Sequence, residues 1–330
     1  MPVLEIGGTH VTAAVVDLGA GTVVAASLQR ASLNPAGSAA ELLGAVIGCG
    51  GGLPAHGGDN WGVAIPGPFD YERGIGLFQD VGKFEALYGV DVGGALLAGL
   101  PGPPRSIVFL NDADAFLWGE WLFGAAAGHE RCVGITLGTG IGSAFIADGE
   151  LRHDGPGVPP EGRVDLLQIG GLPLEEVVSA RAIERLYQQC TGVVPNGTAY
   201  VAGQARNGDE TAAGVLRGSF EQLGQALRPW LAEFGASVLV VGGSMTGSWD
   251  LIGPALWQGL EGAGSAADGQ EAESDGAPPV TGITASVADR PEHAALLGAA
   301  AYAWRSARAT RRPGLAAGPP LPAGQSRVPQ

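Results

Sequence analysis

Two stretches of this chain follow one plan. LEIGGTHVTAAVVD, from Leu4 to Asp17, and ITLGTGIGSAFIAD, from Ile135 to Asp148, each run as apolar strand, Gly/Thr turn, apolar strand and Asp. They lie more than a hundred residues apart in a chain of 330, long enough for two buried cores. The repetition predicts a duplicated architecture with one glycine-turned hairpin per domain. Glycines at such turns bring backbone N–H groups against anionic oxygens without obstruction, and Thr9 and Thr139 add hydroxyl donors. The chain holds 57 glycines, so a chance likeness between two hairpins stands as the alternative.

Strands and helices alternate along the chain. Val3–Ile6, Val11–Asp17 and Val23–Gln29 read as strands, residues 38–48 as a helix, and Cys49–Asp59 as a glycine-rich connection. Trp61–Ile65 and Ser106–Leu110 are buried strands, the first stopped by Pro66-Gly67-Pro68 and the second followed by helical Ala113–Phe123. Helices are predicted over Leu174–Gln189, over Glu210–Phe234 with a break near Pro229, over Trp249–Leu260 and over Glu292–Arg305. Ser237–Val241 is a strand ending at Gly242-Gly243-Ser244. An acidic low-complexity loop is expected near 261–279 and a disordered tail over 310–330. The expected domains are 1–112, completed by the helix 292–306, and 113–291.

Composition narrows the partners. A net charge of −15 argues against a nucleic acid, whose binding needs clustered Lys and Arg. The chain's single lysine, Lys83 in QDVGKF, lacks the glycines and the following Ser or Thr of a P-loop. Gly138-Thr139-Gly140-Ile141-Gly142 opens a strand rather than a helix, which excludes a Rossmann dinucleotide fingerprint. Three scattered cysteines with no Cys-x-x-Cys suit reduced thiols and no cysteine-rich zinc site. No signal peptide or membrane span is legible, so a cytoplasmic location is expected.

Seven segments in order carry a resemblance: LEIGGTHVTAAVVD, VAIPGPFDYERGIG, FLNDADAFLWGEW, GITLGTGIGSAFIADGEL, LEEVVSARAI, LVVGGSM and AALLGAAAYA. Together they resemble the ROK family (repressors, open reading frames and sugar kinases) of the actin-like superfamily. The resemblance implies an α/β fold of the actin-like (ribonuclease H-like) type, duplicated into two domains with an interdomain cleft for ATP and substrate. It implies ATP- and Mg2+-dependent phosphoryl transfer to a polyol hydroxyl, cleft closure on the substrate and, by family habit, a homodimer.

The resemblance also assigns residues. Asp112, at the end of a buried strand, takes the general base role, because the attacking hydroxyl needs a nearby carboxylate. From the residues alone Asn111, Asp112 and Asp114 also suit helix capping, and Asp114 is read as a cap. Asn111, Glu161 and Glu175 are implied substrate ligands, with ordinary surface charge as the other reading of the two glutamates. Pro66 and Gly67 shape a wall of the site. Gly7, Gly8, Thr9, Gly138, Thr139, Gly140 and Gly142 are the phosphate-facing turns. Gly242, Gly243 and Ser244 lie where the family places adenosine, although a plain strand exit is all the pattern requires. Glu5 is a candidate for Mg2+ through water, or simply a strand-end residue. Lys83 reads as a solvated lysine, with contact to a substrate oxygen or phosphate as the other reading.

Three features depart from the family pattern. Glu5 stands where the family has Asp. The zinc-binding cysteines are missing from PPEGRVDLLQIGGLPLEE, so no zinc is expected. Val164 stands where a sugar-binding His is implied, a contact left to Arg163 or Asp165. With EIGGTH and FQDVGKFEALYGVDV, this zinc-less pattern looks similar to ROK kinases of C7-cyclitols such as 2-epi-5-epi-valiolone or valienol in aminocyclitol antibiotic pathways. A hexose or N-acetylhexosamine kinase is the alternative acceptor reading. A ROK repressor would need a DNA-binding segment before the first strand, and a non-catalytic sugar or nucleotide sensor would share the fold.

Overall fold

In the computed structural model, which describes residues 1–54, 59–262 and 282–311, the chain divides into two units. They are Met1–Ala127 joined by Glu292–Gln330, and Gly128–Pro291. The first unit begins with β1 (Pro2–Ile6), β2 (His10–Asp17), β3 (Thr22–Val23) and β4 (Gln29–Ser32), then α1 (Ala39–Gly51) and β5 (Asn60–Ile65). A short hairpin of β6 (Phe69–Asp70) and β7 (Ile75–Gly76) leads to α2 (Val92–Gly99), β8 (Ser106–Asn111) and α3 (Asp112–Phe123). The sheet order is β3-β2-β1-β5-β8, with β4 also on β2. β1 and β2 are antiparallel, whereas β1, β5 and β8 run parallel. From Trp61 onward β5 is apolar and buried because both faces are covered, as parallel strands require.

The second unit repeats the plan. β9 (Arg131–Leu137) and β10 (Ile141–Ala147) form an antiparallel hairpin extended by β11 (Glu150–Leu151). A small hairpin of β12 (Gln168–Ile169) and β13 (Leu172–Pro173) is followed by α4 (Glu175–Val178), α5 (Ala180–Thr191), α6 (Thr198–Arg206) and α7 (Glu210–Phe234). Then come β14 (Val238–Gly242), α8 (Trp249–Glu261) and β15 (Thr284–Val287). The sheet order is β11-β10-β9-β14-β15, with β9, β14 and β15 parallel. The last helix, α9 (Ala294–Arg311), returns to the first unit. Each unit has its own core, one around Leu4, Trp61, Phe78 and Phe109, the other around Val133, Phe145, Phe220 and Leu239.

The division falls after Ala127, not after Asp112, because α3 lies on α9. The two helices approach until their backbones touch: a Cβ on Gly298 would overlap the Ala115 carbonyl, and one on Gly119 that of Ala294. We expect Gly298→Ala to cost about 1–3 kcal/mol through overpacking, read as a lowered thermal midpoint.

Several local expectations change. Val23–Gln29 is not one strand: the buried Ser27 accepts from the Val15 N–H and donates to the Val24 carbonyl, which turns the chain between β3 and β4. Leu174–Gln189 is two helices, because extended Ser179 ends α4 and caps α5 by accepting from the Ala182 N–H. α7 runs unbroken through Pro229, held by Leu223, Leu227, Leu231 and Phe234 buried along one face. The acidic loop and the tail fall almost wholly outside the described residues. Among the described residues, no helix is long and apolar enough to cross a membrane.

Candidate functional site

Strand register gathers the candidate residues at the carboxyl edge of each sheet, where open α/β sheets hold ligands. In the first unit Glu5 pairs with Ala64 and Ile65 with Asn111, so Glu5, Pro66 and Asn111–Asp112 share one edge. The Gly7–Thr9 turn leaves the same edge, closed by the Gly7 N–H on the His10 carbonyl at 2.8 Å. Neither Gly7 nor Gly8 has a positive φ. The glycines are therefore not demanded by the turn, and a Cβ on Gly8 would meet nothing within 4 Å. Their effect is an open approach to the backbone.

Asn111 is the cap of α3. Its Oδ1 accepts from the Ala113 and Asp114 N–H groups at 2.9 and 3.3 Å. That corrects the reading of Asp114, which is buried in the helix's first turn. Asn111 Nδ2 donates to the Tyr71 hydroxyl at 2.9 Å, which in turn faces the Ile65 carbonyl. The amide is thus locked, with one N–H left to give. The Tyr71 oxygen lies 3.4 Å from where a Gly67 Cβ would sit, which joins the Pro66–Gly67 wall to Asn111.

Asp112 accepts from its neighbour Ala113 at 3.0 Å. Burial raises its pKa, and the Lys83 ammonium draws it back. Lys83 is therefore not merely solvated: it is half-buried within the field of Asp112. Its loop is wound tightly, with Asp80, Gly82 and Phe84 all at positive φ, and Phe84 buried against Phe78. Glu5 is pushed up to about 7, first by burial and then by the neighbouring Asp112 charge, with Arg30 pulling the other way. Glu5 and Asp112 supply hard carboxylate oxygens, the donor type that Mg2+ takes, usually with water completing its shell.

In the second unit β9 and β14 pair so that Gly242 lies opposite Thr136. This brings the Gly138–Gly142 turn beside Gly242–Ser244; the Ser244 hydroxyl is 3.8 Å from a Cβ built on Gly138. Gly243 has φ +90, and a Cβ there would strike the Leu137 backbone. Glu175 joins the same group: its Oε2 would lie 3.0 Å from a Gly140 Cβ, and Arg181 donates both to its Oε1 at 2.8 Å and to the Thr139 carbonyl at 3.2 Å. Beside Ser244 opens a pocket walled by Thr198, Ala202, Arg206, Met245 and Ile252, with Arg206 forked onto Asp250.

Glu161 is exposed at φ +59, and its charge and that of Glu175 both act on Arg163. Val164 is fully buried in the core, and Arg163 and Asp165 pair with each other at 2.6 Å. The Ser143 hydroxyl pins this loop, donating to the Gly162 carbonyl and accepting from the Val164 N–H. Among the described residues no group of three or more His, Cys, Asp or Glu is placed to hold a metal. Tyr71, Arg181 and Arg206 are absent from the sequence reading; each acts through a partner more than five residues away, with no local motif.

A sequence profile of the ROK family matches residues 2–305. The chain belongs to the ROK family. The glucokinase of Thermotoga maritima is 30% identical to this ROK chain over 213 residues, 58% of this chain and 65% of that one, a little under two thirds of the relative's length. A ROK family glucokinase from Streptomyces griseus, solved with glucose and AMPPNP, superposes with a TM-score of 0.67 at 25% identity, covering 90% of this chain and 96% of that one. A ROK transcriptional regulator, a homologue of the E. coli MLC protein, superposes at 0.69 with 19% identity, over 91% and 76% of the two chains. The fold is the mixed α/β fold of ROK sugar kinase structures, of the actin-like superfamily. Kinases and regulators share it, so it does not choose between them.

Proposed function

We propose that this ROK chain transfers the terminal phosphoryl group of ATP to a hydroxyl of a sugar-like polyol, with Asp112 as general base. The observation that carries the reading is the Asn111–Asp112 pair at the end of β8. One residue is locked as cap and donor, and the other is a half-buried carboxylate beside Glu5, its charge disfavoured by desolvation. The acceptor O–H gives its proton to Asp112 as its oxygen bonds to the γ-phosphorus, and the bond to ADP breaks. Burial makes Asp112 more basic, and the Lys83 charge opposes that rise in part. The remaining Asn111 N–H orients the acceptor hydroxyl.

The glycine turns at Gly7–Thr9 and Gly138–Gly142 offer backbone donors to phosphate. The Ser244 pocket takes the nucleoside. Glu5 would hold Mg2+ through water, and the ion would supply charge neutralisation on the phosphates. Glu175, positioned by Arg181, and Glu161 are acceptor ligands on the second unit.

The favoured acceptor is a C7-cyclitol of the valiolone or valienol type. Supporting this over glucose, the Val164 side chain offers no polar atom to a sugar, and the Arg163 guanidinium is paired with Asp165. The glucokinase reading rests on the named relatives and fits as well. An ADP-release screen over hexoses, N-acetylhexosamines and C7-cyclitols decides, with product position read by NMR. Glucose turned over as well as any cyclitol removes the cyclitol. Polyol binding without ADP release makes the chain a sensor.

A further inference from the structure

Behind the Gly7–Thr9 turn stands a layer of side chains that the reaction above leaves unused. Arg30 on β4 reaches across to His10 at the head of β2, with Nη2 at 2.6 Å from Nε2. The other ring nitrogen, Nδ1, lies 3.1 Å from Thr9 Oγ1. A guanidinium can only donate, so Nε2 accepts and the ring is neutral. Its single proton then sits on Nδ1 and points at the Thr9 oxygen. Burial and the Arg30 charge both hold His10 below its ordinary pKa, which agrees with a neutral ring. With a lone pair of Thr9 filled by His10, the hydrogen of the Thr9 hydroxyl is left to point away from the ring.

What it points into is open. Thr9 is exposed, a Cβ on Gly8 would meet nothing within 4 Å, and among the described residues the Gly8 and Thr9 N–H groups donate to no protein acceptor. Three donors therefore leave the turn together, two from the backbone and one from a hydroxyl. A hydroxyl rotor normally has three wells; here one of its partners is assigned in advance.

We infer that the Arg30–His10 pair presets the Thr9 hydroxyl as a hydrogen-bond donor to a phosphoryl oxygen of the bound nucleotide. The inference rests on the nucleotide-binding reading above. His10 and Arg30 are positioning residues that never touch the ligand: the effect of His10 passes through Thr9, and that of Arg30 through Thr9 and, by its charge, through Glu5.

The test is calorimetric binding of Mg-AMPPNP to the full chain and its variants, with thermal midpoints confirming that each is folded. Thr9→Ala is expected to weaken binding about tenfold, the scale of one hydrogen bond to a charged group. His10→Phe and Arg30→Met are each expected to cost about three- to tenfold. His10→Gln, whose amide can accept from Arg30 and donate to Thr9, stays within about twofold of wild type. In the Thr9→Ala background the His10 loss disappears and the Arg30 loss shrinks to the part that its charge exerts on Glu5, which is the coupling expected of residues that act as a unit.

Losses that persist undiminished without Thr9 would mean that Arg30 or His10 acts directly or only structurally, and would overturn the inference. So would His10→Gln binding as poorly as His10→Phe, or wild-type affinity in both single variants. If His10→Phe does not fold, the Arg30→Met and Thr9→Ala cycle decides alone. A wild-type chain that binds no Mg-AMPPNP overturns the nucleotide reading itself; wild-type binding with uncoupled losses overturns only this one.

Discussion

Asp112→Asn is expected to lower turnover by between about a hundredfold and ten-thousandfold, the range for removing a general base. The variant should melt at or above the wild-type temperature. Both halves follow from one fact: the carboxylate is held where burial disfavours its charge. Asparagine keeps an oxygen for the Ala113 N–H and removes the buried charge, so the fold loses little and sheds a desolvation cost. A third consequence lies on Glu5, whose raised pKa owes part of its shift to the Asp112 charge. In Asp112→Asn the Glu5 carboxyl should titrate lower, measurable by carbon-detected NMR. A folded Asp112→Asn that turns over at near the wild-type rate would sink the base assignment, and an unmoved Glu5 would separate the two carboxylates.

The parts of this site that could be read from sequence are those in which one short segment carries its own geometry. A strand ending in Asn111–Asp112 and running into a helix needs a cap, and the chain supplies it locally. The two hairpins are legible for the same reason, since β1–β2 and β9–β10 pair within a few residues of their turns. What joins elements distant in sequence was not legible. Tyr71 meets Asn111 across 40 residues, Arg181 meets Thr139 across 42, and Arg30 meets His10 across 20. Nothing in DYERG or SARAI announces those partners, because each is set by how sheet edges converge. Pro229 misled for a related reason. Local propensity says a helix should break there, but four buried side chains on one face of α7 outweigh a single missing N–H donor. The placement of α3 likewise depends on α9, which the chain supplies only after the whole second unit.

Glu5→Gln is expected to make the ligand-free protein more stable than wild type at pH 8, and the gap should close as the pH falls toward 5. In the unfolded chain Glu5 releases its proton near 4.5, but in the native state it holds it to about 7. Between those values the native state binds more protons than the unfolded one, so stability falls as pH rises. The contribution is full below about 4.5 and gone above about 7, and amounts to on the order of 3 kcal/mol. Asp112, also raised, acts in the same direction, whereas His10, lowered, opposes it near its ordinary pKa of 6.5. The difference between Glu5→Gln and wild type isolates the Glu5 part from both. Carboxylates such as Asp209 and Asp250, whose pKa values are lowered, act only at more acid pH. Thermal melts from pH 5 to 8, with and without Mg2+, read the whole effect. If the strain at this sheet edge is the cost of a metal seat, Mg2+ alone should raise the wild-type midpoint at pH 8 and leave that of Glu5→Gln unmoved. Equal stabilisation of both by Mg2+ would take the metal away from Glu5, and a Glu5→Gln chain less stable than wild type at pH 8 would mean that its charge is already compensated.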